Sequence, residues 1–195
     1  MSPGIWRPER LPSVVIVAPA PQTFAAAKII RLDDLAPILA RVTVSDGDHL
    51  LLADPEGNHQ IWFAGGVAQH GGCFIIPHGD DFAARKHAVE RLERRLAGQR
   101  AGPPIRSQQL SQRQREYLTL QLRALDGVAD QASRREIAAI LLDPAAYDIP
   151  AIEWKNAALR KRINRIIARA TLMVNGGYLA LLRGDVERAR RFRSG

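Results

Sequence analysis

Leu159, Ile163, Ile166, Ile167, Ala170 and Val174 recur at the three- and four-residue spacing of an α-helix, and no other feature of the chain constrains its fold so much. With about 100° between successive residues, all of these side chains fall within about 60° of Ile163, which predicts one buried stripe. Lys161, Arg165, Ala168 and Leu172 fall on the opposite side, flanked by Arg162, Asn164 and Arg169. The helix is expected over 156–174, with Gly176-Gly177 ending it. Between Trp154 and Gly184 there are seven basic residues and no acidic one.

Solvated helices commonly interleave both signs, because opposite charges four residues apart stabilise them. A helix without those pairs repels itself over several turns, so an external anion is the expected complement, and phosphate is the obvious one. Lys and Arg can donate to guanine edges, and Asn can bond adenine in both directions. Lys155, Asn156, Lys161, Asn164 and Arg165 are therefore the base-reading candidates, with Arg160, Arg162 and Arg169 on phosphates. A basic helix that merely faces solvent, one that meets an acidic protein, and one that binds RNA are the competing readings.

The distribution of charge points the same way. The 195-residue chain has a net charge of +8, yet residues 1–100 hold 11 basic and 11 acidic side chains, whereas 101–195 hold 17 and 9. A one-sided basic excess is the footprint of a phosphate-binding surface, with a solubilising surface as the alternative.

Helices are expected throughout the second half. Residues 111–125 place Tyr117, Leu118, Leu122 and Leu125 on one side and stop at Asp126-Gly127. Ser133 followed by Glu136 is a capping-box pattern, Ile137, Ile140 and Leu141 form the next apolar face, and Asp143-Pro144 ends it. Two short helices before a long basic one is the order of a helix-turn-helix, whose last helix enters the major groove. The usual turn has 3–4 residues, whereas 143–155 is far longer and carries Tyr147 and Trp154, which are expected to order it. Arg113 and Arg115, with Ser107, are further candidates for phosphate contacts, and 178–182 is expected to pack back on the bundle.

The first half reads as short strands: 13–17, 27–32, 41–44, 49–53, 59–64 and 73–76. Asp54-Pro55-Glu56-Gly57-Asn58 makes a hairpin loop, and Gly65-Gly66 and Gly71-Gly72 bracket another turn. Phe82, Val89, Leu92 and Leu96 then switch to helical spacing, with Asp80 or Asp81 as N-cap and Gly98 as the stop. The fold class expected is α+β: a small, mostly antiparallel sheet with one helix, then an all-helical, variant helix-turn-helix domain. The boundaries are 1–98 for the sheet domain, 99–107 for a Gly-, Pro- and Arg-rich linker, 108–183 for the helical domain and 184–195 for a basic tail.

Leu110-Ser111-Gln112-Arg113-Gln114-Arg115 through Leu122-Arg123-Ala124-Leu125-Asp126-Gly127 resembles the opening of the RovC-like DNA-binding domain, a proteobacterial domain first catalogued without a function. Ser133-x-x-Glu136-Ile137-Ala138, Trp154-Lys155, Leu159-Arg160, and Gly176-Gly177-Tyr178 with Leu181-Leu182 continue the likeness in order, over about residues 105–183. Family members usually carry a basic residue after the Gly-Gly-Tyr, where this chain has Leu179. Trp6-Arg7-Pro8-Glu9, Leu11-Pro12 and 17–21 resemble the segment that precedes the domain in longer members, behind a small regulator-like domain without a counterpart here. An upstream-encoded regulator-like domain, or self-association, is therefore an expected partner beside double-stranded DNA.

The resemblance implies transcriptional control of conjugative-element or type VI secretion genes. It also implies an alternative, since some short relatives act as antiactivators that bind a partner regulator instead of DNA.

Other chemistry finds little support. His49, His59, His70, His78 and Cys73 match no zinc spacing, and His70-x-x-Cys73 supplies only two ligands, so no metal and no cofactor are expected. Asp33-Asp34 and Asp80-Asp81 sit where helices should begin, which capping explains. The glycine pairs lack the lysine and strand–helix context of a phosphate loop. No nucleophile–base set can be defended, so an enzyme is not expected. One cysteine, no long apolar run and a charged first segment point to the cytoplasm, at the nucleoid, and away from membranes. The sheet domain is assigned, by elimination, to protein contacts.

Overall fold

In the computed structural model, which describes residues 4–66 and 71–185, the chain divides into two units, Met1–Gln109 and Leu110–Gly195. The β-branched and aromatic runs of the first unit form strands β1 (Val14–Pro19), β2 (Ile38–Val44), β3 (Gly47–Leu52), β4 (His59–Ala64) and β5 (Gly72–Ile75). They make one sheet in the order β2-β3-β4-β1-β5, antiparallel except where β1 runs parallel to β4. The expected mostly antiparallel sheet followed by helices is thus the observed architecture.

Period-2 alternation sends Val15, Val17, Leu50, Leu52, Ile61 and Phe63 to one face, where Ala88 and Leu92 of helix α1 (Phe82–Leu96) cover them. Each fully buried Leu, Ile or Phe here contributes roughly 1.5–3 kcal/mol. The N-terminal segment lies along the other face: the Trp6 backbone N–H donates to Gln60 Oε1 at 2.9 Å, and Gln60 Nε2 donates to the Gly4 carbonyl at 3.2 Å.

One expectation fails in this unit and another holds in position alone. Residues 27–32 form no strand: the Lys28 carbonyl accepts from Gly72 N at 2.9 Å and Ile30 is buried, but no ladder follows. Asp81 occupies the N-cap position of α1 without a side-chain capping bond.

The stretch expected to be a linker is strapped down. Arg91, buried on α1, donates from Nε to the Gly102 carbonyl and from Nη2 to the Gly57 carbonyl, both at 2.7 Å. Gly102 N donates to Glu56 Oε2 at 2.6 Å, and Ala101 is buried. Arg95 reaches the carbonyls of Ala53, Leu35 and Ala36. The Asp54–Asn58 hairpin loop is therefore held to α1 by two guanidinium groups.

The second unit is helical: α2 (Gln112–Ala129), α3 (Arg134–Leu141), α4 (Ala151–Trp154), α5 (Ala158–Leu172) and α6 (Tyr178–Leu182), with a 3-10 turn over Pro144–Ala146. Both α2 and α3 open with complete capping boxes, Ser111 with Gln114 and Ser133 with Glu136. Ile163, Ile166 and Ile167 pack on Ala124, Ile137, Ala138, Ala139 and Ala146.

α2 does not stop at Asp126-Gly127 but runs to Ala129, and a left-handed Gln131 (φ 61°) makes the turn. Gly127 serves packing instead, since a Cβ there would stand 3.0 Å from Ile137 Cγ1. Leu122 and Ile140, expected on apolar faces, are exposed. Val174 is exposed too: it lies in the π-helical turn, Met173–Gly177, that follows α5, in which Asn175 and Gly176 (φ 121°) leave the helical conformation.

Candidate nucleic-acid interface

The predicted stripe of α5 is buried at Ile163, Ile166, Ile167 and Ala170, with Leu159 packed against the same core. The opposite side is open: Lys161, Arg162, Asn164, Arg165, Ala168 and Leu172 are all exposed. No hydrogen bond or ion pair ties the side chains of Lys161, Arg162, Asn164 or Arg165 to the described residues. Lys155 and Asn156 are exposed on the turn between α4 and α5, and Arg160 is half-buried.

The start of α5 is electrostatically unusual. Ala157 is its N-cap and offers no side chain to the free backbone N–H groups, and the first turn holds no acidic residue. Arg160 and Lys161 instead place positive charge where the helix macrodipole is already positive, at a cost of about 0.3–1 kcal/mol each. Free N–H groups beside two cations form an anion-binding arrangement. Unlike α2 and α3, which open with capping boxes, α5 shares an uncapped start with α1, α4 and α6.

Two arginines of this unit are committed elsewhere. Arg169 turns inward and donates from Nη1 to the Tyr117 hydroxyl of α2 at 3.1 Å, while its Nε is buried without a partner. Arg135 lies 5.4 Å from the ring centroid of Trp154. Trp154 packs on the core and so helps order the connection from α3 to α5, whereas Tyr147 is exposed and does not. That connection also contains the one-turn α4 and the 3-10 turn, neither of which the sequence foreshadowed.

Arg113 and Arg115 are exposed on the first turns of α2, with Arg123 further along it. Ser107 lies in a 3-10 turn of the first unit, Arg106–Gln108. Nothing in the sequence marked Tyr117 as the partner of Arg169, because the two are 52 residues apart. Among the described residues no cluster of three or more His, Cys, Asp or Glu could hold a metal. His70 and most of the 184–195 tail lie outside the described residues. No helix among the described residues is long and apolar enough to cross a membrane.

A sheet unit followed along the chain by a helical unit with an acid-free, cation-bearing helix has the construction of a DNA-binding regulator. Comparison with known families agrees: residues 75–183, more than half of the chain, match the RovC DNA-binding family, described as a type VI secretion (T6SS) transcription factor, DNA-binding domain. The chain belongs to that family and is a DNA-binding transcription factor. Residues 13–70 match a domain of unknown function, DUF7012. No curated protein and no solved structure matches the chain. The family match begins at the end of β5 and includes α1, so its edge does not coincide with the division at Gln109.

Proposed function

We propose that the chain is a sequence-specific regulator that lays α5 in the major groove of double-stranded DNA, in a variant helix-turn-helix with α3 as the supporting helix. The observation that carries this reading is the unpaired outer side of α5, with Lys161, Arg162, Asn164 and Arg165 exposed and no acid on the helix. Lys155, Asn156, Lys161, Asn164 and Arg165 read base edges. Arg160 and Arg162, with Arg113 and Arg115 of α2, bind phosphates. Arg169 acts through Tyr117, holding α5 against α2. The genes regulated are those of a conjugative element or a secretion system, the effect is activation, and the site of action is the cytoplasmic nucleoid. The first unit serves protein contacts.

A salt titration tests the reading. Contact with about six phosphates gives a slope of log K against log salt near −5 on duplex DNA. Lys161→Ala combined with Arg165→Ala is expected to abolish most binding. Affinity that survives this double change and follows residues 1–109 would overturn the recognition-helix assignment.

One observation favours a second reading, an antiactivator or adaptor that binds a partner regulator in place of DNA. The end of α3 and the connection from it to α5 expose Ile140 (67%), Tyr147 (52%) and Ile152 (81%). It also carries Asp143, Asp148 and Glu153, with no basic residue between Arg135 and Lys155. An acidic, apolar surface of this kind suits a basic protein partner and repels DNA. Duplex binding that stays absent at low salt would favour it.

A further inference from the structure

β2 is the outermost strand of the sheet, and none of its seven residues is buried. Ile38, Leu39, Val42 and Val44 are all exposed apolar side chains on it. Proteins usually blunt such an edge with lysines, inward-pointing charges, prolines or bulges. Here the only bulge sits at the start of the strand, between Ile38 and Ala40, and the run from Ala40 to Val44 is regular. Its single charge is already satisfied: Arg41 donates to Asp48 Oδ1 of β3 from Nε at 3.2 Å and from Nη2 at 3.1 Å, and Thr43 Oγ1 donates to the same oxygen.

We infer that the β2 edge pairs with the β2 edge of a second copy of this chain, in antiparallel register about a two-fold axis at Val42. The sequence is self-complementary in that register. Val42 faces Val42 of the copy, Ala40 faces Val44, and Arg41 faces Thr43, so no like charges are opposed. Val42 and Val44 share a sheet face with His49, whose ring stacks on Trp62 at 5.9 Å, and pairing extends that apolar ledge from one copy into the next. The five strands become ten, and the two β2 edges close each other, leaving β5 outermost at either end. The inference rests on assigning the first unit to protein contacts. It also gives a two-fold reader, suited to paired half-sites on DNA.

Sedimentation equilibrium of the full chain at micromolar concentration tests this. The expected result is a dimer, with Val42→Glu raising its dissociation constant by at least about tenfold, since two carboxylates would be opposed at the axis. A second variant, Val42→Cys with Cys73→Ser, is expected to join two chains through a short bismaleimide, and it decides the matter if Val42→Glu does not fold. A chain that stays monomeric, or a dimer that ignores Val42→Glu and does not cross-link, overturns the proposal. Lys161→Ala with Arg165→Ala is expected to leave the dimer intact. Val42→Glu is expected to keep binding to a single half-site, so failure of the dimer and failure of the DNA reading are separable.

Discussion

Arg169 of α5 donates from Nη1 to the hydroxyl of Tyr117 on α2, 3.1 Å away, and so fixes the basic helix to its neighbour from the buried side. Replacing Tyr117 by Phe removes the acceptor and leaves both Nη1 and the already unpartnered Nε in a half-buried site. The expected loss is about 1–2 kcal/mol of stability in the second unit. DNA affinity should fall while the salt slope stays unchanged, because no phosphate contact is deleted. Thermal melts and a salt titration of Tyr117→Phe check both parts.

Gly127 allows α2 and α3 to approach closely, with a built Cβ only 3.0 Å from Ile137 Cγ1 and 3.3 Å from its Cδ1. Valine at this position cannot be accommodated without moving a buried side chain. Gly127→Val is expected to destabilise by about 1–3 kcal/mol, despite removing a glycine from a helix. Urea denaturation measures it.

His59 is buried beside Arg91 and Arg95, with Asp54 Oδ2 at 3.5 Å, and burial is the main cause that lowers its pKa to about 4. The unfolded chain, titrating near 6.5, binds the proton more readily than the folded one. Stability therefore rises with pH between about 4 and 6.5 and falls as the solution is acidified through that window. His59→Gln should remove this dependence, on the order of 3 kcal/mol across the window. Melting temperatures of the two proteins between these pH values provide the comparison.

Ser111 and Ser133 each accept from the N3 backbone N–H at 3.2 Å, and each N3 side chain answers the cap. Alanine at either position should lose about 1 kcal/mol. The Ser133 backbone N–H also holds the Glu136 carboxyl below its ordinary range. Its stabilisation is present at neutral pH and disappears as the pH falls through the lowered value, so Glu136→Gln should flatten the acid side of the melting profile.

On DNA, Asn164→Ala and Arg162→Ala should separate. Loss of an adenine-reading amide is expected to relax base preference by about 1–3 kcal/mol at one position. Loss of a phosphate contact should weaken all sequences alike and lower the salt slope by about 1. A fluorescence titration over single-base variants of the operator distinguishes them.

Much of this was legible in the sequence where one element decides its own environment. The Ile163 stripe, the Ser133 box and the 54–58 loop depend on neighbours within a few residues, and all three are present. Ser111 with Gln114 could have been found by the same rule. What failed depended on distant partners or on a change of helical phase. Val174 continues the apolar period, but it lies in the π-helical turn just before the break at Asn175 and Gly176 and is left exposed. Gly127 looked like a stop because a glycine that ends a helix and one that admits a neighbour are the same letter. Leu122 and Ile140 satisfy helical spacing, yet among the described residues both are exposed. Nothing near Arg91 and Arg95 in the sequence marks them as anchors, and only the folded loop at 53–58 supplies the carbonyls that they bind.

One family resemblance covers β1 to β4 and another begins at residue 75, yet Leu92 of α1 lies in the same core as Val17 and Phe63. A gene fusion cut at the seam between the two resemblances would carry the helix away with the DNA-binding part. The sheet left behind would show a bare oily face to water, so such a cut should yield an insoluble N-terminal fragment where one after residue 109 yields a soluble one.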